Sequence, residues 1–352
     1  MRATKRVLFV NSGTEPWGAE VSLRNLLGSA PPGWECSLLA CSQGVVDVCR
    51  PFVNEIHLVP PRRGKLRNLG TFFASVWALK DQYDVVVLFN LRLLPIALIT
   101  WARQSGIRVV ADLHDAPIGL DRELSRFCLR FTAGNIAISR FVVDHLGISR
   151  ADVVPRPISE GGTLVVEPPV VDGTSPIVLG IIGRVDPEKR IDVAIDAVRD
   201  LPPRFQLHVY GDSCLAEEGY LQALMNRAAP GARTVFRGYL NADEIYDEVD
   251  AVIVCNDREP SGRTVGEAMV RSKIVFAPDR GGAQEFFDDS ISGFVYRALD
   301  PESLARAIAF AFGPSSDTDL IRQRAREKIL HERSPHAVAD EYFSVLERVV
   351  QA

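Results

Sequence analysis

The sequence predicts an α/β protein made of two successive parallel sheets, each covered by helices. Three observations predict it. Short apolar runs alternate with segments of helical apolar spacing along the chain, the pattern of sheets buried on both faces. The length of 352 residues suffices for two full cores. Midway, residues 159–176 are rich in Gly and Pro and carry no helical period, so they read as an interdomain connection.

The first half opens with a strand at 7–11, and its exit loop, Ser12 to Glu20, leads into a helix with Val21, Leu23, Leu26 and Leu27 on its apolar face. That glycine-containing turn can bring amides close to a phosphate, and a plain tight turn would explain it equally well. It is not G-x-G-x-x-G, so the dinucleotide fingerprint is missing. Strands are predicted at 36–41, 55–59, 85–90, 108–113 and 135–138, and helices at 68–80, 95–104, 121–131 and 140–146. Ligands of such sheets bind at the carboxyl ends of strands. Asp112-Leu113-His114-Asp115 ends one of them, so His114 is placed to hydrogen-bond a sugar hydroxyl or a developing charge, against the reading of a loop histidine satisfied by its neighbours. Arg62-Arg63-Gly64-Lys65-Leu66-Arg67 precedes Leu69, Phe72, Phe73, Val76 and Trp77 at helical spacing. Residues 62–77 are therefore a candidate contact for anionic lipid or a phosphorylated acceptor. A solvated loop before a core-facing helix is the competing reading.

The second half repeats the alternation. A strand at 177–182 exits through Gly183-Arg184-Val185-Asp186-Pro187-Glu188-Lys189-Arg190 into a helix at 191–198. Arg184 and Lys189 are thus cations at a strand's carboxyl end, suited to a diphosphate and to charge that develops as it leaves. Further strands are predicted at 206–210, 234–236, 251–255 and 274–277, with turns at Gly211-Asp212 and Gly238-Tyr239-Leu240. Residues 291–296 read as a small hairpin or short strand, and Asp300-Pro301 as a capped helix start.

Composition narrows the class. Hydrophobic residues make up 47% and charged residues 24%, and the net charge of −5 argues against general nucleic-acid binding. The six cysteines form no C-x-x-C pair, so buried reduced thiols are expected and no zinc site. The first residues are too short for a signal peptide, and the apolar stretch 93–102, interrupted by Pro95, is too short to span a bilayer. A cytoplasmic location, peripheral to the inner membrane face if 62–77 makes contact, is the expectation.

The most informative stretch is Glu259-Pro-Ser-Gly-Arg-Thr-Val-Gly-Glu267, a strand-exit loop running into a helix. Backbone N–H groups at Gly262, Arg263 and Thr264, with Ser261 beside them, would make an anion pocket at a helix start. Glu267 is placed to accept from a ribose diol and Glu259 from hydroxyls of a sugar beyond the diphosphate. The site would then read ribose, diphosphate and sugar in line. Standing alone, two carboxylates at this spacing are more commonly surface residues flanking a capped helix.

Taken jointly, these segments resemble the retaining glycosyltransferases of family GT4, the "group 1" glycosyltransferases. Gly18-Ala19-Glu20 is similar to the family's N-terminal G-G-x-E loop, with Trp17 where a glycine is usual. Ile138-Ser139-Arg140 and Val154-Pro155-Arg156-Pro157 resemble its I/V-S and V-I-P-N-G segments. Gly183-Arg184 to Lys189 matches its G-R loop, and Glu259 to Glu267 followed by Ala268-Met269 its E-x7-E motif. The departures are Arg156-Pro157 for Asn-Gly, Trp17 before a single Gly18, and Val270-Arg271-Ser272-Lys273-Ile274-Val275 for A-x-G-x-P-V.

The resemblance implies the GT-B fold, two Rossmann-like domains with parallel sheets facing a central cleft. It divides the chain into an acceptor domain at 1–160, a linker at 161–176, a nucleotide-sugar domain at 177–335, and a helix at 336–352 crossing back to the first domain. It implies His114, Arg184, Lys189 and Glu259 as catalytic residues. The implied donor site is Gly18, Gly183, Gly211, Tyr239, Leu240, Ser261, Gly262, Arg263, Thr264 and Glu267. It implies transfer with retained configuration from a UDP- or GDP-linked sugar to a glycan or glycolipid hydroxyl, with no cofactor and no metal. A nucleotide-sugar-binding scaffold and a sugar-nucleotide epimerase are the alternatives.

Overall fold

The computed structural model describes residues 4–16, 18–60, 65–159, 175–213, 218–229 and 233–352. Trp17, most of the basic cluster at 62–65, Cys214 and nearly all of the connection at 159–176 lie outside the described residues. The chain divides into two compact units, Met1–Ser159 with Arg333–Ala352, and Glu160–Glu332.

In the first unit the strands are β1 (Lys5–Asn11), β2 (Trp34–Ala40), β3 (Glu55–Leu58), β4 (Val85–Leu88), β5 (Val109–Leu113), β6 (Gly134–Ala137) and β7 (Asp152–Val153). They form a seven-stranded parallel sheet in the order β3-β2-β1-β4-β5-β6-β7. The helices are α1 (Gly18–Gly28), α2 (Gln43–Cys49), α3 (Lys65–Leu79), α4 (Pro95–Ala102), α5 (Gly119–Cys128) and α6 (Arg140–Leu146).

Strand β1 shows why the sequence reads as a continuous apolar run. Side chains alternate across a strand, and here both faces are covered. Val7 and Phe9 join the cluster under α1 and α2, while Leu8 and Val10 join the cluster that holds Phe72 and Val76 of α3 and Ile96 of α4. Each such fully buried side chain contributes about 1.5–3 kcal/mol. Within the basic-aromatic stretch, the face of α3 carrying Phe72 and Val76 belongs to the core, while Leu66 is exposed and residues 62–64 lie outside the described residues.

In the second unit the strands are β8 (Ile177–Ile182), β9 (Phe205–Tyr210), β10 (Thr234–Gly238), β11 (Ala251–Ile253), β12 (Ile274–Pro278) and β13 (Phe294–Tyr296), in the order β10-β9-β8-β11-β12-β13. The helices are α7 (Ile191–Arg199), α8 (Glu218–Ala228), α9 (Ala242–Glu248), α10 (Arg263–Val270), α11 (Pro301–Ala311) and α12 (Thr318–Glu332). The core runs from Ile177, Leu179 and Ile181 of β8 to Leu304 and Ile308 of α11.

Of the two readings of residues 291–296 the short strand holds: β13 pairs parallel with β12, and Ile291 and Ser292 turn back on Asp288 before it begins. Two element bounds need correction. The predicted helix at 121–131 starts earlier, at Gly119, and gives way at Leu129–Phe131 to one 3-10 turn. Strand β11 ends at Ile253, although Val254 still donates its N–H to the Phe276 carbonyl at 2.9 Å.

The last helix, α13 (Pro335–Gln351), belongs to the first unit. Val338, Tyr342, Phe343 and Leu346 enter the same cluster as Val7 and Phe9, and Tyr342 stacks on Phe9 with ring centroids 6.3 Å apart. Gly134 of β6 is glycine for this reason, since a Cβ there would lie 2.9 Å from Val349 Cγ2.

Candidate functional site

The carboxyl edge of the second sheet carries most of the expected residues. Strands β8, β9 and β10 each end in a glycine of positive φ, Gly183 at 138°, Gly211 at 130° and Gly238 at 67°. Such backbone favours glycine. The three are laced together: the Gly183 amide donates to the Tyr210 carbonyl at 3.0 Å, and the Gly211 amide to the Gly238 carbonyl at 2.8 Å. A Cβ at Gly211 would overlap the Gly183 carbonyl oxygen, so this part of the edge is bare backbone. Tyr239 and Leu240 follow in the turn after β10, with the Tyr239 side chain 78% exposed.

Next to this floor stand the cations. Asp186 caps the 3-10 turn Pro187–Lys189, accepting from the Glu188 and Lys189 amides at 3.0 and 3.2 Å. That turn sends Lys189 Nζ to Glu259 Oε2 at 2.9 Å. Arg184 Nη2 lies 3.3 Å from Asp186 Oδ2, and its side chain is largely exposed. Glu259 also accepts from Asn256 Nδ2 at 3.2 Å and from the Gly262 amide. Burial alone would raise the Glu259 carboxyl, but the Lys189 charge and these hydrogen bonds outweigh it and hold it below the usual carboxylate range. Burial would likewise depress Lys189, and the Glu259 charge raises it instead.

The loop from 256 to 262 is fastened from behind. Gly282 donates its amide to the Glu259 carbonyl at 2.7 Å, and Gly262, at φ 84°, packs so tightly on Ala283 that a Cβ would come within 2.7 Å of the Ala283 Cβ. Gly262 is the N-cap of α10, which places Arg263 and Thr264 in its first turn. The Gly262 amide helps to hold the Glu259 carboxyl low. The Ser261 hydroxyl is buried beside it and has no hydrogen-bond partner among the described residues. A buried unmatched hydroxyl costs about 1–3 kcal/mol, which a ligand oxygen would relieve.

Glu267, one turn into α10, has both carboxylate oxygens occupied. Arg263 Nη2 lies 2.6 Å from Oε1, and the buried Tyr246 hydroxyl donates to Oε2 at 3.2 Å. Tyr246 sits on α9, which a capping box between Asn241 and Glu244 starts. Arg271 covers its ring at 4.6 Å.

His114 lies in the first unit, just past the carboxyl end of β5. Its ring packs against Phe89 with centroids 4.7 Å apart. Nδ1 is 3.5 Å from Asp112 Oδ1, buried and without a hydrogen bond. Asp112 is itself fully buried, ion-paired to Arg156 and accepting from the Tyr342 hydroxyl of α13 at 2.8 Å. Burial opposes ionisation of Asp112, yet Arg156 and His114 hold its carboxyl below the ordinary range. Gly18 opens α1, and Glu20 in the same turn is buried and accepts from Asn11 Nδ2 at 3.2 Å. A Cβ on Gly13 would come within 2.6 Å of Glu20 Oε1, so this loop too is closed by its own residues.

Residues 169–328 match the family model "Glycosyl transferases group 1". The match lies within the second unit and takes in somewhat under half of the chain, so it is a likeness of that unit to group 1 glycosyl transferases. A glycogen synthase from Marinomonas sp. (strain MWYL1) is 24% identical over 181 residues, which are 49% of this chain and 37% of that protein. The chain therefore spans little more than a third of the curated relative it matches. Among solved structures, HepE of Anabaena in complex with UDP has a TM-score of 0.82 at 20% identity, covering 97% of this chain and 100% of that one. Sucrose-phosphate synthase of Thermosynechococcus elongatus has a TM-score of 0.77 at 18% identity, over 98% and 99% of the two chains. These likenesses give both units the GT-B fold of two parallel-sheet, Rossmann-like domains.

In the second unit sequence reasoning missed Asn256, Asp186 and Tyr246, and in the first unit it missed Asp112, Arg156 and Tyr342 as a network. Asn256, three residues before Glu259, was the one visible signal. The others are joined across gaps such as 230 residues between Asp112 and Tyr342, which no local pattern reveals.

Proposed function

We propose that the chain transfers a hexosyl group from a nucleoside-diphosphate sugar to an acceptor hydroxyl with retention of configuration. The observation that carries the reading is the pairing of Lys189 with Glu259 beside the buried, unmatched Ser261 hydroxyl at the start of α10. A cation, an acceptor for sugar hydroxyls and a hydroxyl in need of a partner stand together where a strand ends and a helix begins. HepE of Anabaena was solved with UDP and with UDP-glucose, which supports UDP as the nucleotide.

In this reading the diphosphate lies over the bare edge at Gly183 and Gly211, with Arg184 and Lys189 as its counter-charges. Glu267 takes the ribose diol by exchanging Arg263 for it. Glu259 takes a sugar hydroxyl while Lys189 turns to phosphate. The acceptor oxygen forms its bond to the anomeric carbon as the bond to the diphosphate oxygen breaks. The electron pair leaves on the diphosphate, and the acceptor proton passes to a leaving phosphate oxygen. The two cations supply the electrostatic stabilisation, so the reaction is read as requiring neither metal nor cofactor. Glycan or glycolipid is the acceptor class, with the protein in the cytoplasm.

The test is a thermal-shift series with UDP-, GDP- and ADP-sugars in the absence of metal. The expected result is selective stabilisation by UDP-sugars that Glu267→Ala abolishes. Equal stabilisation by every base would sink UDP as the nucleotide, and a shift that Glu267→Ala leaves intact would sink the ribose assignment. Binding without transfer to any acceptor would turn the reading to a scaffold.

A further inference from the structure

Helix α5 is built the wrong way round for a helix on a globular surface. Leu120, Leu124 and Phe127 fall on one stripe, at i, i+4 and i+7. They are 88%, 53% and 47% exposed. The opposite side, which faces the protein, is polar or small. Ser125 and Cys128 are buried there, and the Arg122 Nε donates to the His145 carbonyl at 2.6 Å. The stripe continues beyond the helix: Ile118 just before it and Trp101 at the end of α4 are both exposed. Trp101 packs on Phe131 at 4.7 Å, and Phe131 on Phe127 at 5.3 Å, so the patch is continuous.

The charge around this stripe is opposite to that of the chain. Arg122, Arg126 and Arg130 lie on α5 and the turn that follows it, and Arg103 follows Trp101, against Asp121 and Glu123, in a chain of net charge −5. Glu123 serves both Arg122 and Arg126. Arg103 lies over the rings of Phe73 and Trp77. Arg130 is exposed and makes no ion pair among the described residues.

We propose that the outward face of α5, with Ile118 and Trp101, docks on an anionic lipid surface. An outward apolar stripe edged by arginines and ending in a tryptophan is what such a surface selects. A second copy of the chain fits less well. A helix of 10 residues is about 15 Å long, and its stripe offers on the order of 300 Å², against roughly 800 Å² that each partner contributes to a standard interface. Two such patches facing each other would also bring like-charged arginines together. The docking face is a surface property of the first unit and is independent of the donor reading.

The experiment is flotation of the full chain with phosphatidylcholine vesicles, with and without phosphatidylglycerol, at low and high salt. No sugar donor is needed. The chain is expected to float with the anionic vesicles at low salt and to be released by salt, and Leu124→Glu/Phe127→Glu to partition at least about tenfold more weakly. Tryptophan emission should shift to the blue on binding, less so in Trp101→Phe. If the double variant lowers the melting temperature, Arg130→Glu is the second test, expected to weaken flotation without touching the apolar stripe. No flotation at low salt, or equal flotation by the variants, would overturn the proposal. So would a concentration-dependent dimer lost in Leu124→Glu/Phe127→Glu without vesicle binding, which would assign the face to a second copy.

Discussion

The two sheets end in opposite ways at their carboxyl edges. In the first unit the charges are locked away: Asp112 is fully buried and holds Arg156 and Tyr342. In the second, Lys189 with Glu259 and Arg263 with Glu267 keep part of each side chain in solvent. A buried pair whose every partner is fixed cannot exchange one of them without leaving a charge stranded. A half-open pair can. One edge is therefore cross-bracing, and the other is a set of contacts waiting for a better partner.

The sharpest way to break this contrast is Arg156→Ala. It strands Asp112 in the core, so a loss of about 3–5 kcal/mol is expected, read by urea unfolding. All four tryptophans fall within the first unit's sequence, so their fluorescence reports that unit while circular dichroism reports both. A cost near that of a surface pair would refute the bracing role. Next in size, Arg184→Ala/Lys189→Ala should lower turnover by about a hundred- to a thousandfold with the fold intact. Unchanged transfer would remove these cations from the chemistry.

Tyr342→Phe deletes one hydrogen bond to a buried carboxylate and should cost about 1.5–3 kcal/mol, measured the same way. Acid is the mildest probe. Asp112 and Glu259 are both held below their ordinary values, so each contributes stability that is present above the unfolded carboxyl pKa of about 4 and lost as pH falls through the lower folded value. Unfolding curves should shift to lower urea below about pH 4. In Asp112→Asn the tryptophan-reported part of that shift should shrink.

Most strands were legible because burial on both faces writes them as continuous apolar runs, as at Val7 to Val10. The E-x7-E stretch was legible because loop, N-cap and helix follow one another in sequence. The partners of its carboxylates were not, since Lys189 lies 70 residues from Glu259 and Tyr246 reaches Glu267 from a different helix. Arg156 looked like a departure at a turn, and only the fold reveals the carboxylate it neutralises. For α5, periodicity marked a helix but could not say that its apolar side faces out, because the same spacing serves either direction.

The joining of α13 to β1 and β5 bears on how the protein is born. The first unit has its sheet early, but the helix carrying Tyr342 is translated only after residues 160–332. At elongation rates of about 5–20 residues per second, that leaves the part of the Phe9 face that α13 covers open, and Asp112 short of one partner, for on the order of ten seconds or more.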